Sequence, residues 1–303
     1  MPPKAISQSL ESMSQAQRER LAYLEMKVYF HGDLKRSDIE ARFGVRPAAA
    51  TRDMTAYRTL APHNVEYDSG QRCYRPGPKF SPLFELSSQR VLAWLLMGFG
   101  DGLNLRLRKS VPCEGASPLV RPDLETLATI TRAIAAGQAI RVSYLSLTSG
   151  ASTKTLAPLA LADNGLRWHL RAFDREKKRF SDFVLTRIAK AKVLDGPIEE
   201  SESLAADAQW ARIVSLEFAP HPGIKHPEAI EADYGMKNGA LRLEVRAALA
   251  GYALRRWSVD CSADHGLSPN EYHLWLRNTQ TLYGVESALL APGYPSESAN
   301  EIV

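Results

Sequence analysis

The tract KRSDIEARFGVRPAAATRDMTAYRTL, residues 35 to 60, carries two helix starts with one helix stop between them. Ser37 reads as an N-cap with Glu40 three residues on, the spacing of a capping box. Ile39 and Phe43 then fall on one helical face, and Gly44 supplies the stop. Pro47 suits the first position of a second helix, whose inward stripe is Ala50, Met54, Tyr57 and Leu60. Two short helices joined through a glycine turn predict a helix-turn-helix, whose second helix enters the DNA major groove by its N-terminal end.

On that end Ala48, Ala49, Thr51 and Arg52 are expected to face outward. Small side chains let the backbone approach the groove, Thr51 can meet a thymine methyl or a base edge, and Arg52 has the fork for guanine or phosphate. Lys35, Arg36, Arg46 and Arg58 are assigned to phosphates, contacts that position a protein without reading sequence. Ser37 is counted among the DNA-contacting residues as well as capping its helix. Downstream, NVEYDSGQRCYRPG (64–77) reads as a hairpin, Val65 to Tyr67 and Cys73 to Arg75 about a Ser69-Gly70 turn, with Arg72 at its tip. That makes the motif winged. Upstream, Leu21, Leu24 and Val28 stand at helical spacing and give the domain a first helix. The plainer alternative is a small helical domain with merely solvated arginines.

The net charge of +4 over 303 residues would not identify a nucleic-acid binder, but its distribution is uneven. Residues 1 to 110 hold 17 Lys and Arg against 11 Asp and Glu, so the positive surplus sits beside the helix-turn-helix. The apolar run VLAWLLMGFG (91–100) is too short to cross a bilayer, and the first twenty residues lack the apolar core of a signal peptide. A cytoplasmic, nucleoid-associated bacterial protein without a membrane partner is expected. Cys73, Cys113 and Cys261 lie far apart without CxxC spacing, so neither a disulfide framework nor a zinc ribbon is indicated.

The length suits several domains. A winged helix-turn-helix is placed at 1–80 and a helical linker at 81–122, the latter with a helix over 87–99 and a Gly/Pro-rich loop at 111–123. A third domain over 123–200 opens with a helix capped by Asp123 and stopped at Gly137. Strand candidates follow closely: AIRVSYLSL, TKTLAPLAL, LRWHLRAF, FSDFVLTRI and AKVL, separated by TSGAS, ADNG and DREKKR. Short strands with such turns predict a small, strongly bent antiparallel sheet or barrel.

The segments RVSYLS, KTLAP, RWHLRAFD and FVLTRI, in that order, resemble the successive signatures of the WYL domain. This is an Sm-like (SH3-type) barrel found behind a winged helix-turn-helix in bacterial transcription regulators. The Trp-Tyr-Leu tripeptide stands here as Trp168-His169-Leu170; Lys154 replaces a usual Arg, Ser181 falls where many members have another, and Phe183, Leu185, Arg187 and Ile188 match the closing motif. The flavour is similar to regulators of phage-defence gene clusters, the BrxR and CapW group. The resemblance implies a ligand-sensing pocket and an effector that is a nucleotide or single-stranded nucleic acid. Tyr144, Ser146, Lys154, His169, Arg171, Phe183 and Arg187 are its candidate lining, with His169 and Arg171 forming a basic wall and Trp168, Leu170 and Ala172 facing the core. The competing reading gives Arg187 a buried salt bridge to Asp174 or Asp182 and puts Tyr144 in the core.

The segment 201–303 reads as an α+β extension, with strands in ARIVSLEFAP, ALRLEVRAAL and EYHLWLRN and helices in HPEAIEADYGM and LAGYALRRWSVD. The overall expectation is thus an α+β multidomain chain whose C-terminal domain serves dimerisation, as the resemblance implies. Leu254, Trp257 and Trp275 are candidates for interface anchors or for core. A homodimer would place two recognition helices about 34 Å apart on a palindromic double-stranded operator. HPGIKHPE (221–228) lacks HExxH spacing, and no P-loop, GxSxG or GxGxxG is found, so no metal, cofactor or catalysis is expected. The leading expectation is a homodimeric repressor of a defence-related operon, released by a ligand. An activator of the same architecture, an Sm-like RNA- or single-stranded-DNA-binding module and a nuclease remain as rivals.

Overall fold

The computed structural model describes residues 9–97 and 120–295. The boundary loop expected at 111 to 123 lies outside these residues as far as 119, as do Cys113 and the end of the 87–99 helix. The chain divides into two compact units. One runs to Ile140 and takes in Lys190–Asp195, and the other comprises Arg141–Ala189 and the chain from Gly196.

In the first unit, helix α1 (Gln15–Met26) is capped by Ser14, whose hydroxyl accepts from the Gln17 amide, and continues into a π-helical turn over Lys27–His31. Helix α2 spans Arg36–Phe43 and α3 spans Pro47–Leu60, with Gly44 left-handed between them at φ 63°. Leu21, Leu24, Val28, Ile39, Ala50, Met54, Tyr57 and Leu60 close one core, so the apolar stripes read from the sequence meet as expected. The helix start at Pro47 agrees with the sequence reading, but Ser37 is not a cap. Lys35 is the N-cap residue, and its amide donates to the Asp38 carboxylate at 2.8 Å. The capping box is closed by Asp38 on Lys35, so the helix starts two residues earlier than the Ser37–Glu40 reading placed it.

Strands β1 (Val65–Asp68) and β2 (Cys73–Pro76) form the wing in antiparallel register, Val65 opposite Pro76 and Asp68 opposite Cys73. Leu34 bridges to Tyr74 and ties the wing to the α1–α2 connection. Helix α4 covers Ser88–Met97, and α5 (Leu124–Ala136) has the expected Asp123 cap, accepting from the Thr126 amide at 2.8 Å, and a left-handed Gly137.

After α5 comes a five-stranded sheet, made of β3 (Gln138–Ser146), β4 (Gly150–Asp163), β5 (Trp168–Asp174), β6 (Arg179–Val184) and β7 (Ile188–Pro197). Its order is β6-β5-β4-β3-β7. The long β4 carries an irregularity between Pro158 and Ala160, the kind of bulge that lets a strand bend sharply. The tract read as one strand, FSDFVLTRI, is broken by a 3-10 turn over Leu185–Arg187.

The C-terminal part of the second unit has a short helix α6 (Ala208–Ala211), then β8 (Ile213–Pro220), α7 (Pro227–Tyr234), β9 (Leu241–Arg246), α8 (Ala247–Arg256), β10 (Val259–Asp260) and β11 (Leu274–Leu276). The four strands order as β10-β11-β8-β9. Val214, Leu216, Phe218, Leu254, Val259 and Leu276 lie in their common core. Leu254 is therefore core, whereas Trp257 packs edge-on against Phe218 and stays partly exposed. No helix among the described residues is long and apolar enough to cross a membrane.

Candidate functional site

Helix α3 presents the face expected of a recognition helix. Ala48, Thr51 and Arg52 are exposed at its N-terminal end, Arg46 is the exposed residue before it, and Ala49 turns half inward. Among the described residues Arg46, Arg52, Arg72 and Lys35 make no ion pair. Arg36 is held by Glu40 at 2.8 Å, an exposed pair of the kind that costs little to open. Arg58 lies with its guanidinium 5.8 Å from the centre of the Tyr74 ring on the wing. Arg72 takes a left-handed backbone at the turn, φ 52°, with its side chain exposed.

Two features of this face were not read from the sequence. Thr51, Thr55 and Thr59 form an exposed row, each hydroxyl donating to the carbonyl four residues back at 2.9, 2.9 and 3.0 Å. With the hydroxyl protons so used, the row offers methyl groups and oxygen lone pairs outward. It lines an open groove of about 470 Å³ with Arg52, Ala56, Leu60, Ser9 and Met13. The spacing of four was visible in the sequence, and only the geometry shows where the protons go.

The recognition helix is fixed from behind by buried polar groups. Asp53 accepts from Arg20 at 2.6 Å and from Gln17 at 3.2 Å, locking α3 to α1. Glu25 accepts from the Tyr57 hydroxyl at 2.7 Å and from the amides of Leu83 and Phe84 at 2.8 and 3.0 Å. Burial pushes the Glu25 carboxyl up from its ordinary range, and these donors oppose the shift. Asn64 completes the network, donating to Tyr57 and to the Ser81 carbonyl. The segment leading to α4 is thereby clamped to the recognition helix.

On the sheet, the basic wall expected of His169 and Arg171 does not form. His169 is 5% exposed, and burial, reinforced by the positive charge of Arg167 and Arg187, pushes its pKa down to about 4. Its imidazole is neutral near pH 7. Arg171 is 3% exposed and gripped in bidentate fashion by Asp207 at 2.7 and 3.0 Å, with Asp182 at 3.4 Å. The buried ion pair considered for Arg187 thus belongs to Arg171, and Asp174 is taken by Lys154 at 3.0 Å.

The other candidate lining residues divide similarly. Tyr144 and Phe183 are buried against each other, ring centres 5.2 Å apart, and the Tyr144 hydroxyl accepts from the Val184 amide at 3.4 Å. Ser146 caps the β3–β4 turn by accepting from the amides of Thr148 and Ser149. Trp168 is half-buried while Leu170 and Ala172 are fully buried, so both sides of β5 are covered.

What remains is a pair of half-buried arginines beside His169. Arg187 makes no ion pair among the described residues, and the buried Nε of Arg167, a residue the sequence reading missed, has no hydrogen-bond partner. Tyr252 closes the neighbourhood, its ring 5.1 Å from that of His169 and its phenol on the side of Asp182. Two cationic forks next to a neutral imidazole and a phenol can receive an anionic, planar group.

Comparison with known proteins agrees with this layout. Residues 16–97 match the BrxR transcriptional regulator winged helix-turn-helix domain, residues 125–193 the WYL domain, and residues 213–282 the BrxR transcriptional regulator C-terminal dimerization domain. The chain is 32% identical over 281 residues to the DNA-binding transcriptional repressor CapW of Escherichia coli, covering 89% of this chain and 91% of that one. The repressor of the same name from Pseudomonas aeruginosa is 31% identical over 253 residues, covering 78% and 81%, and that from Stenotrophomonas maltophilia 29% over 278 residues, covering 87% and 90%. The chain belongs to the BrxR and CapW family of WYL-domain transcriptional regulators.

Proposed function

We propose that this protein is a homodimeric, DNA-binding transcriptional repressor that reads a palindromic operator and loses it when an anionic effector binds the WYL domain. The observation that carries the DNA reading is the recognition helix itself. A small-residue N-terminal face, with Arg52 free of ion pairs among the described residues, is backed by a buried network and flanked by a wing that carries Arg72. Relatives named as DNA-binding repressors along most of the chain, and a match to a dimerization domain, support repression by a homodimer. Ala48, Ala49, Thr51 and Arg52 meet base edges, and Lys35, Arg36, Ser37, Arg46, Arg58 and Arg72 hold the backbone.

The effector reading rests on Arg167 and Arg187. Among the described residues both are cations without a carboxylate partner in a domain whose other buried cations are paired, and a nucleotide or a single-stranded nucleic acid supplies the matching phosphate and ring. An effector that prefers the DNA-incompetent arrangement weakens operator binding by its differential affinity for the two states. The test is a gel-shift titration on duplex DNA from upstream of the protein's own gene, at physiological salt with excess nonspecific competitor. A discrete shift that survives the competitor is expected, and Arg187→Ala should bind the same DNA but resist release by effector. A smear that the competitor removes would leave only charge-driven binding and refute the specific-repressor reading.

A further inference from the structure

Strand β9 is the outer strand of the C-terminal sheet, and nothing among the described residues pairs with its far side. Its two sides can be assigned from the ladder. The amide of Ala247 donates to the Arg212 carbonyl at 2.9 Å, continuing the β8–β9 register in which Ile213 faces Arg246. On β8, the Glu217 carbonyl and amide are turned toward β11, accepting from Arg277 and donating to Asn278, which leaves its partner Arg242 unbonded by β8. Alternation then directs the backbone groups of Leu241, Leu243 and Val245 toward β8 and those of Arg242, Glu244 and Arg246 toward the open edge. Open strand edges of this kind are templates for another chain.

The sequence of the edge, LRLEVR, is complementary to itself over most of its length in one register only; centring Val245 also sets Glu244 against Arg246, but pairs just the last three residues of the strand. With Leu243 opposite its own copy, Leu241 faces Val245 on the core side, and on the solvent side Arg242 faces Glu244 twice over. A shift that centres Glu244 sets like carboxylates against each other and Arg242 against Arg246, and one that centres Arg242 opposes two arginines. Like charges directly opposite are destabilising, while opposite charges and apolar pairs stabilise a ladder. In the favoured register Arg242 and Glu244 are the pair that exchanges backbone hydrogen bonds, so all four edge groups they present are satisfied. Leu243, 37% exposed although on the core side of the sheet, would be covered by its copy. Glu244 makes no ion pair within the chain among the described residues, and Arg242, paired with Glu217 at 2.7 Å, keeps further guanidinium donors free.

We propose that two copies of this chain join edge to edge through β9, antiparallel about a twofold axis at Leu243, making one continuous sheet of the two C-terminal domains. This rests on the homodimer reading above and adds the surface and the register. The interface is isologous, as a closed dimer requires.

The experiment is cysteine cross-linking of the full-length protein, with light scattering in parallel. Residues directly opposite without exchanged backbone bonds sit about 4.5 Å apart at Cα, within disulfide reach. Leu243→Cys should form a covalent dimer under mild oxidation, with a 243–243 linkage identified by peptide mass mapping. Val245→Cys should not link to its own copy, since it faces Leu241. Glu244→Arg, at an exposed position, should raise the dimer dissociation constant roughly tenfold, and adding Arg242→Glu should restore it. A dimer in which Leu243→Cys fails to link, or Val245→Cys links in its place, overturns the edge pairing and leaves the homodimer standing. A monomer by light scattering overturns both.

Discussion

Arg52 and Arg171 are the same residue in opposite surroundings. Arg52 stands exposed on the recognition helix and makes no ion pair among the described residues, while Arg171 is buried between Asp207 and Asp182 at 2.7 and 3.4 Å. In the first unit the carboxylates of Asp53 and Glu25 are buried and hold α3 in place, while Arg46, Arg52 and Arg72 stay exposed and make no ion pair among the described residues. The second unit spends Lys154, Arg171 and Arg175 on internal pairs with Asp174, Asp207 and Glu202. A basic side chain in a motif is therefore evidence of a binding surface only once its partners inside the chain have been counted.

The sharpest way to break this comparison is at the buried pair. Arg171→Ala leaves the carboxylate of Asp207 buried without its bidentate partner, a loss worth about 3 to 5 kcal/mol of folding stability. Denaturant unfolding of the variant should show that loss, and Asp207→Ala should behave alike. A variant as stable as the parent would mean that Arg171 is free to serve a ligand after all.

The next effect is in pH. The folded pKa of His169, pushed down to about 4 by burial, lies below its ordinary value near 6.5. Between those two values the unfolded chain binds the proton and the folded chain does not, so acidification favours unfolding. The contribution of His169 is complete above pH 6.5 and is lost as pH falls toward 4, on the order of 3 kcal/mol in all. Asp182, whose pKa burial raises, pulls the other way as it protonates. The measurement is therefore the difference in stability between the parent and His169→Gln from pH 7 to pH 4. That difference should move steadily in favour of the variant on acidification, and a flat difference would show that His169 is charged or solvated.

The N-terminal domain was largely legible because its signals are local. Gly44, Pro47 and the stripe Ala50, Met54, Tyr57 and Leu60 each act within one or two helical turns, and the structure places them as read. Two local details differ: Ser37 is not the cap, because Asp38 beside it closes a box on Lys35, and Ala49, read as outward, turns half inward. The sheet was legible as strands but not as a site. Alternation along β5 gives two faces, and assigning one to core and the other to a pocket assumes that nothing covers the second. Asp207, 36 residues from Arg171, and Tyr252, beside His169, come from the chain beyond the sheet and cover it. No periodicity within residues 140 to 194 carries that information. Arg167 was passed over for the same reason, since its distinction is a missing partner, which only the packed structure reveals.

The smallest of the three effects tests the other side of the comparison, and it is a change in binding rather than in folding. Arg52 is exposed and makes no ion pair among the described residues, so Arg52→Ala should leave folding stability within about 0.5 kcal/mol of the parent. Operator affinity should fall by about 1 to 3 kcal/mol, with relaxed preference at the base pair it faces if it reads guanine, or a uniform loss and a shallower salt dependence if it holds phosphate. Titrations of the variant on the operator and on single-base changes of it, at two salt concentrations, separate those outcomes. An unchanged affinity would move the reading surface along the helix toward Thr55 and Thr59, whose outward methyls line the same groove. Either way the contrast with Arg171 holds only if the free arginine alters DNA binding without stability and the paired one alters stability first.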